Sequence, residues 1–200
     1  MTGLAIIVLA AGSARRMRGR DKLMETIDGT PLIARQLGRA IATGLSTYVA
    51  LSPDHPTRAD AIEGLNAVRI PVPDAADGMA MSLRGAIAAL PAGHTGAMVV
   101  LADMPEITTD DLNTLRDAFD NDTRAIIRAT SNGVQGHPVV FPADLFPDLA
   151  TITGDTGAKP VIMAQRDRLH LIPLREGHAT TDLDTPEAWD DWRTRTNTPH

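Results

Sequence analysis

The sequence predicts an α/β fold built on a mainly parallel sheet with helices on both faces. Aliphatic, strand-like runs alternate with segments of helical periodicity along nearly the whole 200 residues, the pattern of repeated strand–helix crossovers. The strongest runs, 4–9 and 97–101, are continuously apolar, as central strands covered on both sides require.

Each element has a local signal. Residues 31–43 carry Leu32, Ile33, Leu37, Ala40 and Ile41 at helical spacing, with Pro31 suited to the first turn and Gly44 to the stop. A strand over 47–51, a short helix over 58–65 and a strand over 67–71 follow. The pattern then gives a helix over 81–90, ended by 91–93, and the strand 97–101. Thr108 opens another helix, whose first turn holds Asp110 and Asp111 where carboxylates complement the dipole. Further strands are expected at 124–129, 139–141 and 169–173, and helices at 156–164 and 186–195. No internal repeat or low-complexity segment interrupts the pattern. A single domain over 1–196 is expected, with 197–200 as a loose tail.

Composition narrows the function. A net charge of −6 argues against general nucleic-acid binding and makes a basic cluster at 15–22 a local exception. The absence of cysteine excludes disulfides, thiolate metal sites and cysteine nucleophiles. Aromatics are only 3% of the chain, too few for stacking platforms along single-stranded nucleic acid. No apolar run approaches the roughly 18 residues of a membrane span, and the N-terminus lacks a secretory layout. A cytoplasmic protein that engages neither membrane nor nucleic acid is expected.

The chemistry starts where the first strand ends. Ala10, Ala11, Gly12, Ser13 and Ala14 carry almost no side-chain bulk, so a ligand can approach their backbone amides. Arg15, Arg16, Arg18, Arg20 and Lys22 follow within eight residues. Small residues plus five cations after a buried strand read as a polyphosphate receptor, without the spacing of a P-loop or of GxGxxG.

In parallel sheets, ligands bind beyond the carboxyl ends of the strands. The second aliphatic strand ends in Ala102-Asp103-Met104-Pro105. A carboxylate placed against phosphates needs a cation between them, so Asp103 reads as a Mg²⁺ ligand. The alternative is that Asp103 caps the helix near Thr108 or a turn. Asp184 offers the same choice, between a second metal ligand and, with Thr185, the cap of the final helix with Pro186 at its first position. In the segment 77–85, Gly78 permits close approach of a flat ligand, and Ser82 either bonds a base or ribose or sits near a helix cap. The segments 133–138 (GVQGHP) and 154–159 (GDTGAK) read as polar glycine-rich loops. His137, between Gly136 and Pro138, suits positioning better than proton transfer.

Taken together, these segments resemble the nucleotidyltransferases that act on the molybdenum cofactor. The opening loop is similar to that family's LAAGxSxRMGxxK signature. The likeness continues in order through GMAMSLRG, LADMP, QGHPVVF, GDTGAK and DLDTPEAW. Ala10-Ala11-Gly12 resembles the CTP:molybdopterin cytidylyltransferase branch, whereas guanylyltransferase relatives commonly read Ala-Gly-Gly. The resemblance implies a Rossmann-like fold of the nucleotide-diphospho-sugar transferase type. It implies Mg²⁺-dependent transfer of CMP from CTP to the terminal phosphate of Mo-molybdopterin, with release of pyrophosphate. It further implies catalytic roles for Arg16, Lys22 and Asp103, and metal ligation by Asp103 and Asp184. Leu9, Ala10, Ala11, Gly12, Arg16, Lys22, Gly78 and Ser82 would bind nucleotide, and Gly136, His137 and Asp155 the acceptor. A molybdoenzyme or its chaperone would receive the product.

The chain departs from the signature in three places. Ala14 stands at the usual Ser and Arg18 at the usual Gly, and one extra residue separates Met17 from Lys22. Which of Arg15, Arg16 and Arg18 touches phosphate is therefore open. Two other readings share these residues: the same fold using GTP, another NTP, or a sugar or polyol phosphate acceptor, and a non-catalytic nucleotide-binding relative.

Overall fold

A computed structural model describes residues 3–154 and 156–196, apart from the side chains at 15, 76 and 77. Its elements in chain order are β1 (Ala5–Leu9), the two-stranded pair β2 (Thr26–Ile27) and β3 (Thr30–Pro31), α1 (Leu32–Ile41), β4 (Ser46–Leu51), α2 (Pro56–Ala61) and β5 (Val68–Pro71). Then come α3 (Met79–Ala88), β6 (Gly96–Leu101), α4 (Thr109–Asn121), β7 (Ile126–Ser131), β8 (Val134–Pro142), α5 (Phe146–Leu149), α6 (Lys159–Ala164), β9 (Leu169–Pro173) and α7 (Pro186–Thr196).

The main sheet has seven strands in the order β5-β4-β1-β6-β8-β7-β9. Why β1 and β6 are continuously apolar is visible in their packing. Successive side chains point to opposite faces of a strand, so Ile6, Val8, Met98 and Val100 enter one core. Ala5, Ile7, Ala97 and Val99 enter the other. The first core is closed by apolar residues of α1, α4 and α7, and the second by those of α3, α5 and α6. Helices therefore cover both faces, as expected.

The sheet is parallel except around β8, which runs antiparallel to both β6 and β7. This reversal has a functional consequence. The carboxyl ends of β1 and β6 lie at the same edge as the beginning of β8, so Gly136 and His137 are delivered beside Asp103.

The expectation that 133–138 is a loop is corrected here, because β8 starts at Val134. Asn132 (φ 50°) and Gly133 (φ 78°) form a two-residue turn with Ser131 paired to Val134 across it. Asn-Gly with positive φ at both positions is the preferred tight hairpin turn, since its twist matches that of the strands. Asp28 (φ 51°) and Gly29 (φ 76°) close the β2–β3 hairpin in the same way. The expected tail at 197–200 lies outside the described residues.

Candidate active site

Lys22 occupies the centre of the site. Its Nζ lies 2.5 Å from Asp103 Oδ2 and also donates to Asp184 Oδ1. Arg16 donates to the other oxygen of Asp184. Only 14% of the Lys22 side chain and 16% of each aspartate side chain are exposed. Burial disfavours the lysine charge, but Asp103 and Asp184 outweigh it and raise the Lys22 pKa above its ordinary value. Burial would likewise raise Asp184, yet the bonds and charges of Lys22, a bond from Asp182 and the charge of Arg16 hold it low. Asp182 moves the other way, raised by burial and then by Asp184 and Asp103. The trio thus presents an ionised Asp184 beside an Asp182 that keeps its proton more readily.

Other residues cap both of the helices in question. Thr108 caps α4 in a reciprocal box with Asp111, so Asp103 is not needed there. The amide of Ala188 donates to Thr185 Oγ1 at 3.1 Å, so Thr185 caps α7 and leaves Asp184 to the site. The turn holding Asp184 is docked on the end of β6 through Leu183 N–H to Asp103 O, 3.1 Å. Trp192 bonds Glu106 at 2.8 Å and Arg193 bonds Glu25 at 3.0 Å, fixing α7 behind it.

Two adjoining cavities, of about 690 and 360 Å³, open over this cluster and share Gly12, Ser13, Arg16, Lys22, Met79, Leu101 and Asp103 in their walls. The smaller is also lined by Leu9, Ala10, Gly78 and Ser82, and the larger by Gly136, His137 and Asp184. Ser82 is 3% exposed within α3 and caps nothing; the N-cap of α3 is Gly78.

Other expectations need revision. Ala11 packs into the second core and lines neither cavity. Arg18 is 75% exposed and reaches Glu187 at 2.5 Å, while Arg20 pairs with Glu25 at 3.1 Å. Of the cations at 16–22, only Arg16 and Lys22 face the cleft; the Arg15 side chain and Asp155 lie outside the described residues.

Sequence reasoning passed over Arg58 and Met79. Met79 lines both of these cavities and a third beside them, at the junction between them. A third cavity, of about 560 Å³, meets the others at Met79, Leu9, Gln135 and His137. The His137 ring is pushed down to a pKa of about 4, by burial first and then by the charge of Arg128, against a smaller opposing effect of Asp103. The ring is therefore neutral near pH 7.

The site also fits a divalent cation. Asp103 Oδ1 is buried with no hydrogen-bond partner, an arrangement that costs free energy unless something binds it. Among the described residues, no three His, Cys, Asp or Glu side chains converge on one point. An ion here would take few ligands from the chain and would complete its shell with water and substrate oxygens.

A parallel-sheet fold with a cationic loop facing strand-end carboxylates across a shared cleft defines a nucleotidyltransferase of the nucleotide-diphospho-sugar transferase fold. Residues 6–169 match the family described as the MobA-like NTP transferase domain, and the chain belongs to that family. The resemblance to the molybdenum cofactor nucleotidyltransferases is thereby borne out.

Among its relatives is the purine catabolism protein PucB of Bacillus subtilis (strain 168), 26% identical over 197 residues that span 92% of this chain and 93% of PucB. The crystal structure of Rv0371c from Mycobacterium tuberculosis H37Rv matches with a TM-score of 0.80 at 27% identity, over 96% of this chain and 95% of that one. A manganese complex of Rv0371c matches at 0.75 and 25% identity, over 96% of both chains. The CTP complex of CMP:2-keto-3-deoxy-manno-octonic acid synthetase matches at 0.76 over 97% of this chain and 98% of that one. At 14% identity it speaks for the fold alone. Among the described residues, no helix is long and apolar enough to cross a membrane.

Proposed function

We propose that this enzyme transfers CMP from CTP to the terminal phosphate of Mo-molybdopterin in a Mg²⁺-dependent reaction that releases pyrophosphate. The observation that carries the reading is the Lys22–Asp103–Asp184 cluster on the floor of the joined cavities. Ala10-Ala11-Gly12 supports CTP, through the resemblance to the cytidylyltransferase branch. The manganese in the Rv0371c complex supports a divalent ion.

The third cavity supports the acceptor. Leu83, Val99, Val139, Phe141 and Ile162 give it apolar walls, while Arg128, Lys159 and Arg166 supply positive charge. That combination suits the flat faces and the anionic phosphate of a pterin ring system, and Gln135 and Thr156 in the same wall offer polar partners to its edge. Its contact with His137 and Met79 leads the acceptor towards the nucleotide.

The reaction needs no protein nucleophile. The acceptor phosphate oxygen attacks the α-phosphorus in line, the bond from that phosphorus to the α–β bridging oxygen breaks, and pyrophosphate leaves with the oxygen. Arg16 and Lys22 hold the triphosphate and offset charge on the departing pyrophosphate. Loop amides at Gly12 and Ser13 add donors on the same wall, while Gly78 and Ser82 seat the base and ribose. His137, neutral, orients the acceptor. Asp103 and Asp184 are the residues that would hold Mg²⁺, which when bound would supply positive charge to offset that of the triphosphate.

A pyrophosphate-release panel crossing CTP, GTP, ATP and UTP with Mo-molybdopterin and several sugar phosphates tests the reading. Turnover with CTP and Mo-molybdopterin is expected. Turnover only with another pair would reassign the substrates within the family.

A further inference from the structure

The phosphate loop has a support that none of its own residues supplies. Arg58, on α2, is a fully buried guanidinium, 0% exposed, and four hydrogen bonds account for its place there. Nη1 donates to Ala10 O at 2.7 Å and to Gly12 O at 2.8 Å. Nε and Nη2 clasp the two oxygens of Asp21 at 2.7 and 2.9 Å, the bidentate geometry that arginine offers and lysine does not. Asp21 also accepts the Leu23 amide at 3.0 Å. One side chain thus ties the start of the loop, at 10–12, to its end, next to Lys22. Asp21 itself titrates low: burial would raise it, but the bonds and charge of Arg58 and the Leu23 amide prevail.

The direction of these bonds matters. Across a planar trans peptide, a carbonyl and the following N–H point opposite ways. Drawing the Gly12 carbonyl inward to Arg58 turns the Ser13 amide outward, and among the described residues that amide has no backbone acceptor. Ser13 lines both cavities. A buried charge is costly unless fully paired, and nothing in the packing of a six-residue helix calls for one; holding the loop does.

We infer that Arg58, through Asp21 and the carbonyls of Ala10 and Gly12, is a positioning residue that holds the 10–22 loop in its anion-binding shape and sets Lys22 against the triphosphate. The inference rests on the reading of that loop as a triphosphate cradle.

Inorganic tripolyphosphate probes the cradle without reference to base or acceptor. Calorimetric titration should show binding to the wild-type protein. Arg58→Lys keeps the charge but cannot reach all four acceptors, and should weaken tripolyphosphate by about tenfold or more, the loss of at least one charge-assisted bond. Asp21→Asn leaves Arg58 on the carbonyls and should weaken it by about fivefold. Thr108→Ala removes the α4 cap, whose hydrogen bonds reach no residue of the 10–22 loop, and serves as a control that loses stability with unchanged affinity. If Arg58→Lys does not fold, Asp21→Asn decides. Wild-type affinity in a folded Arg58 or Asp21 variant overturns the positioning role. Failure of the wild-type protein itself to bind tripolyphosphate would instead remove the cradle on which the role depends.

Discussion

Lys22 and Asp103, 81 positions apart in the chain, meet with Nζ 2.5 Å from Oδ2, and the same ammonium also bonds Asp184. One cation thus separates two carboxylates that would otherwise repel each other. Lys22→Ala should lower turnover by roughly 10²–10³-fold, as the loss of a preorganised charge at a transferring phosphate does. The uncompensated carboxylates should also make the variant more dependent on Mg²⁺ for thermal stability. Circular dichroism beside a pyrophosphate-release assay checks both, and an active, Mg²⁺-indifferent variant would contradict the assignment.

His137 should not titrate between about pH 5 and 8, the range in which an unperturbed imidazole does. Its folded pKa of about 4 lies below the ordinary 6.5. The unfolded chain therefore takes up a proton at a pH where the folded protein does not. Stability falls as pH drops from 6.5 to about 4 and loses no more from this group below that. NMR of the imidazole gives the pKa directly. His137→Gln should remove this part of the acid dependence in thermal unfolding.

Gly136 has no room for a side chain. A Cβ there would stand 1.7 Å from the carbonyl oxygen of Ala179, and the next residue, His137, donates its amide to that oxygen at 3.0 Å. Gly136→Ala must push β8 off the 177–184 segment. Overpacking costs about 1–3 kcal/mol, a Tm lower by roughly 2–12 °C for a chain of this size. Pyrophosphate release should fall with it, because His137 and Asp182–Asp184 move apart.

Nucleotide preference should appear as stabilisation. A ligand at 100 times its Kd adds about 2.7 kcal/mol to the folded state. With Mg²⁺ present, CTP is expected to raise Tm more than GTP, ATP or UTP. An equal shift with all four would mean that the cleft reads only the triphosphate.

Much of this architecture is legible in the sequence. The runs at 4–9 and 97–101 announced central strands because both of their faces are buried, and the strand-end rule led from them to Lys22 and Asp103. Two kinds of feature escaped. The β7–β8 hairpin was signalled by Asn132-Gly133, but polar residues around Gly136 masked a strand that pairs on both sides. Arg58 looked like any arginine on a short helix. Its partner Asp21 is 37 positions away, and no local pattern distinguishes a buried guanidinium from a solvated one. The choice between Asp184 and Thr185 as the cap of α7 rests on a single bond, Ala188 N–H to Thr185 Oγ1, which no sequence pattern distinguishes.

The most direct measurement is Mg²⁺-dependent pyrophosphate release from CTP and Mo-molybdopterin by wild-type protein and by Asp103→Ala, with folding verified in parallel. Release by the wild type and a loss of several orders of magnitude in a folded Asp103→Ala variant is the expected result. An undiminished rate in that variant would contradict a transfer centre built on Lys22, Asp103 and Asp184.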